Sequence, residues 1–105
     1  MEDYKLIELL NKIVLASEQK KIDWEKAPAS EGAFKATLGT NTLYIIDSKT
    51  DFFFAVMSAS GDQIGSLTGP VYRSGLRKLY ELAKSKALKI DENLDEINTL
   101  LDNIL

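Results

Sequence analysis

The chain predicts a single α+β domain over residues 1–105, a four-stranded antiparallel meander in order 1-2-3-4 with one N-terminal and two C-terminal helices. Three observations carry the prediction. Apolar residues recur at spacings of three and four at both ends of the chain and at a spacing of two in the middle. The period-two segments are separated by the turn-forming stretches "GTN", "SKTD" and "SGDQ". A length of 105 residues suits one domain with a core of its own.

The first helix is read from Leu6, Ile7, Leu10, Ile13 and Val14, which share one helical face. Asp3 is the expected N-cap, and Lys20 and Lys21 suit the negative end of the helix dipole. Pro28 and Gly32 then mark a connector without regular structure. Trp24, within it, reads first as a lid on the core and also stands among the interface candidates. "AFKATL" (33–38) alternates cleanly, and "TLYIID" follows as its hairpin partner. "FFFAVM" (52–57) and "IGSL" (64–67) complete the meander. A second helix is expected over about 71–88, with Leu76, Leu79, Tyr80, Ala83 and Ala87 inward and Ser74 as N-cap. Gly75 weakens its first turn. A third helix carries Ile90, Leu94, Ile97, Leu101 and Ile104 at spacings of 4, 3, 4 and 3, capped by Asp91.

The inner strands break the usual rule that an antiparallel sheet buries one face and wets the other. "LYII" and "FFFAVM" are apolar on both sides. The second face therefore centres on Tyr44, Ile46 and one alternate set from the third strand, with Phe53 and Met57 as candidates. Leaving several such side chains in water would cost much of a small domain's net stability. Three covers are open: the last helix or the Trp24 connector crossing the sheet, a second copy of the chain, or a ligand or heterologous protein partner. The third helix offers Leu94, Ile97 and Leu101 to whichever neighbour it has, since two heptads are too short to stand alone.

Composition excludes several chemistries. The chain has no Cys and no His, which removes thiolate chemistry, disulfides, the usual general base near neutral pH and the commonest metal ligand. A net charge of −3 argues against nucleic-acid binding. No apolar run is long enough for a membrane span, and the acidic, amphipathic start does not fit a secretory signal, so a cytoplasmic location is expected. The i, i+4 carboxylates Asp91/Asp95 and Glu92/Glu96 lack the loop carbonyls of a calcium site, so no metal or other cofactor is expected. "SGDQIG" lacks the Lys-Ser/Thr of a phosphate loop.

One polar constellation stands out. Arg73, Arg77 and Lys78 gather at the start of the second helix beside Ser66, Thr68 and Ser74, a combination suited to a small anionic, nucleotide-like ligand. The simpler account leaves these cations as a solvated face or pairs them with the acidic last helix: residues 73–89 carry six Lys/Arg against one Glu, and 91–105 carry five Asp/Glu.

Trp-Glu-Lys at 24–26 after an amphipathic helix, the aromatic meander ending in a Gly-Asp turn, and "LRKLYELAKSKALKIDENLDEI" together resemble a family of small bacterial and phage-encoded proteins without assigned function. The resemblance covers most of the chain and carries no catalytic residue. It implies a prokaryotic or mobile-element setting. The expected function is a non-catalytic protein-interaction module acting as a homodimer; the alternative is a binder of a small anionic metabolite.

Overall fold

The computed structural model describes residues 2–28 and 32–105. Helix α1 (Glu2–Glu18) is followed by strands β1 (Glu25–Lys26), β2 (Ala33–Leu38), β3 (Asn41–Asp47), β4 (Phe52–Met57) and β5 (Gln63–Thr68), then helices α2 (Arg73–Ala87) and α3 (Ile90–Ile104). The strands form one antiparallel sheet in order β1-β2-β3-β4-β5. The meander is as expected, but it has five strands rather than four. The additional strand is the two-residue β1, which pairs Glu25 with Lys35 and Lys26 with Phe34. Two residues are too few to show alternation, so what creates β1 is a tertiary anchor. Trp24 is buried, and its indole Nε1 donates to Ser17 Oγ at 2.9 Å, pinning the connector against α1 and along the edge of β2.

The register decides what the alternation of "FFFAVM" left open. Phe34, Ile45, Phe54 and Leu67 are successive cross-strand partners and all are buried. Phe52, Phe54 and Val56 therefore belong to the inner face, and Phe53, Ala55 and Met57 to the other. Both α1 and α2 lie on the inner face. Leu10 and Ile13 of α1 join Leu76, Leu79, Tyr80 and Ala83 of α2 in one cluster with the inner strand residues, Ile22 and Trp24. The ring of Tyr80 packs against Phe34 and Phe52 at centroid distances of 5.5 and 5.2 Å. Gly65 of β5 makes room for α1: a Cβ there would lie 2.7 Å from Leu6 Cδ2.

Several expectations about helix ends need correction. Side chains of Glu2, Asp3 and Asp91 lie outside the described set; the backbone begins α1 at Glu2 and α3 at Ile90, one residue before each expected cap. Ser74 is not the cap of α2. A 3₁₀ turn, Pro70–Tyr72, leads directly into the helix, and Tyr72 occupies the N-cap without a side-chain bond. Between α2 and α3 the chain bends at Leu88 and Lys89, with Lys89 left-handed at φ 52 and ψ 43. Asn93 reaches back across the bend, its Nδ2 donating to the Leu88 carbonyl at 3.2 Å.

The expectation that the last helix or the Trp24 connector crosses the second sheet face is overturned. Trp24 is in the core, and α3 departs from the end of α2 instead of turning over the sheet. The shape records this: the radius of gyration is 15.5 Å and the long axis 58 Å, whereas about 13 Å is usual for a compact chain of ~100 residues.

Candidate functional site

Two apolar surfaces lie outside the core. The first is α3. Leu94, Ile97, Leu100, Leu101 and Ile104 are between 49% and 78% exposed, and every described side chain from Glu92 to Leu105 is exposed. At 100° per residue, the arc from Leu100 through Ile104, Ile97, Leu101 and Leu94 to Leu105 covers about 140° of the helix. Glu92, Asp95, Glu96 and Asp102 lie outside the arc, the neutral Asn98 stands just beyond its Leu105 border, and Asn93 falls within it between Leu100 and Ile104. Leu94, Ile97 and Leu101 thus stand where the spacing put them. Leu100 and Leu105, absent from the strict 4-3 repeat, widen the stripe; their signal was their position one residue from a repeat member.

The second surface is the outer face of the sheet. Its rows are Ala33–Ile46–Phe53–Thr68, Lys35–Tyr44–Ala55–Ser66 and Thr37–Thr42–Met57–Gln63. Tyr44, Ile46, Phe53 and Met57 are partly exposed, while the small Ala33 and Ala55 are hidden between their larger neighbours. Lys35 and Glu25 form an ion pair at 3.6 Å on the β1–β2 margin. Trp24, the remaining interface candidate, is only 4% exposed and contributes to neither surface.

The polar constellation is partly assembled. Arg73, Ser74, Arg77 and Lys78 line one shallow cleft of about 640 Å³ with Pro70, Glu81 and Leu82. Thr68 does not join them, because its Oγ1 donates to the Phe52 carbonyl at 2.8 Å, and Ser66 lies on the outer sheet face. Arg73 is already engaged: its Nε and a terminal nitrogen reach the two carboxylate oxygens of Asp51, each at 3.4 Å. That guanidinium, more than any other influence, holds the Asp51 carboxyl below the usual aspartate range. Lys78 pairs with Glu18 at 3.5 Å and Lys86 with Asp23 at 3.8 Å. The pairing expected between α2 and the acidic last helix is therefore replaced by pairs to α1, its connector and the β3–β4 turn. Among the described residues, no salt bridge joins α2 to Glu92, Asp95, Glu96 or Asp102 of α3.

Among the described residues, no helix is long and apolar enough to cross a membrane. Comparison of the chain with protein-family models, curated proteins and solved structures finds no match.

Proposed function

We propose that the protein is a non-catalytic interaction module working through α3 and the outer face of its sheet, as a homodimer, in a prokaryotic or mobile-element cytoplasm. The observation that carries this reading is the exposed arc on α3. An isolated helix of about fifteen residues is marginal in water even when rich in alanine. This one contains three Asn, a Thr and three Asp, and no Ala. Its order must come from a surface on which the arc is buried, and among the described residues its main neighbour within the chain is α2.

The test compares the wild-type chain with a Leu94→Asp/Ile97→Asp/Leu101→Asp variant. These positions are exposed in the monomer, so the substitutions should leave folding of the rest intact. The reading expects wild type to be found above monomer mass, either with itself or with a stoichiometric host protein, and the variant to lose that association. A wild-type chain that remains a monomer and retains no partner would refute it.

A second reading, a binder of a small anionic metabolite, is favoured by one observation: Arg77 lines the cleft with Ser74 and Lys78 and has no carboxylate ion pair among the described residues. A panel of phosphorylated metabolites at a hundred times Kd would add about 2.7 kcal/mol of stability. No thermal shift across that panel, with Arg77→Ala as control, would retire this second reading.

A further inference from the structure

We infer that the occupant of the outer sheet face is α3 of a second copy, the two chains exchanging their third helices about a two-fold axis. The inference rests on the interaction reading above and specifies its partner and geometry. Four features of the chain converge on it.

The first is reach. Helix α2 lies on the inner face of the sheet, and α3 is joined to it through Leu88 and Lys89 alone. Two residues span at most about 7 Å, whereas passing from the helix layer to the far side of the sheet means crossing two layer spacings, roughly 20 Å. The chain's own α3 cannot cover its own outer face without unwinding. A second copy's helix has no such tether.

The second is width. A narrow seam of alternating 4-3 positions suits pairing with one other helix, while an apolar arc wider than about 100° suits a broad surface. Leu100 and Leu105 extend the arc of α3 to that broader class. The outer sheet face supplies a matching broad surface: Phe53 and Met57 on one strand and Tyr44 and Ile46 on the next are partly exposed around the buried Ala55.

The third is charge. Residues 91–105 carry five carboxylates and no cation, so two third helices packed side by side would bring like charges together. Among the described strand residues, the outer sheet face is uncharged apart from the Lys35–Glu25 pair at its margin. Seated there, α3 keeps Glu92, Asp95, Glu96 and Asp102 directed away from the apolar contact.

The fourth is closure. A two-fold exchange makes the same contact twice and saturates both apolar surfaces of both chains. A helix about 22 Å long on a sheet about 20 Å across, counted twice, buries on the order of 1,000–1,600 Å², which is the size of a stable dimer interface.

Cysteine cross-linking of the purified protein tests the geometry, since the natural chain contains no cysteine. Chains with one cysteine on the sheet (Tyr44→Cys or Phe53→Cys) are mixed with chains with one on the helix (Leu94→Cys, Ile97→Cys or Leu101→Cys) and oxidised. At least one mixed pair should form a disulfide dimer, and the helix variants alone should not. In parallel, light scattering should find wild type dimeric, with Ile97→Asp/Leu101→Asp weakening the dimer at least about a hundredfold because it places carboxylates in the apolar contact. Efficient cross-linking of Leu101→Cys or Ile97→Cys chains to themselves would overturn the exchange in favour of helix–helix pairing. A purified chain that stays monomeric at all concentrations yet holds a host protein through α3 would overturn it too, and would leave the interaction reading standing.

Discussion

Helices α2 and α3 have the same length, fifteen residues each, and both carry an apolar stripe against a charged back. Their situations differ. Leu76, Leu79 and Ala83 of α2 have no exposed surface, whereas Leu94, Ile97, Leu100, Leu101 and Ile104 of α3 are all exposed. The difference originates in the connections. A 3₁₀ turn after β5 lays α2 directly on the inner sheet face, and the pairs Arg73–Asp51, Lys78–Glu18 and Lys86–Asp23 tie its length to the body. The left-handed Lys89 then sends α3 outward. Amphipathic pattern thus specifies that a face will be buried; chain connectivity specifies whether the same molecule can bury it.

Substitution can break that comparison. Leu79→Ala should cost about 2–5 kcal/mol, the range for emptying a fully buried leucine site. Leu101→Ala should leave monomer stability within about 0.5 kcal/mol, as for surface changes away from special features. Urea titration of both variants at dilutions below self-association provides the check, and equal losses would mean that α3 is packed within its own chain.

The remaining predictions sharpen the α2 side. Ser17→Ala leaves the buried indole N–H of Trp24 without its acceptor and should cost about 1–3 kcal/mol in the same titration. Gly75→Ala should stabilise α2 by about 0.5–1 kcal/mol, because a Cβ there would meet Leu10 Cδ2 at an ordinary 3.6 Å; a lower melting temperature would refute the close but uncrowded α1–α2 contact. The smallest effect belongs to Asp51. Its folded-state pKa is lowered, chiefly by Arg73, so the stabilisation is full above the unfolded aspartate value of about 3.9 and is lost as pH falls through the folded value. Arg73→Ala should therefore flatten the acid limb of the stability–pH curve slightly, with no change near neutrality in its slope.

Much of this architecture was legible in the residues. The helices, the meander and the α3 stripe follow from periodicity, and "FFFAVM" correctly signalled a sheet apolar on both sides. The inner set within that strand was not legible, since a segment apolar at every position fits either register; the cross-strand row Phe34–Ile45–Phe54–Leu67 decides it. Strand β1 escaped notice because it depends on Trp24 finding Ser17 rather than on its own two side chains. The cation cluster was visible as a group, but not the prior engagement of Arg73 by a carboxylate 22 residues upstream. The hydrogen bond of Thr68 to the Phe52 carbonyl was not legible either, since that partner across the sheet is also distant in sequence.

The most direct measurement is amide hydrogen exchange along α3 as a function of protein concentration. Protection of residues 93–104 should be weak at high dilution and rise with concentration, in step with protection across β3 and β4, as the arc and the outer sheet face become buried together. Strong protection that persists unchanged at the lowest concentrations would contradict the account, because it would place the cover for α3 inside a single chain.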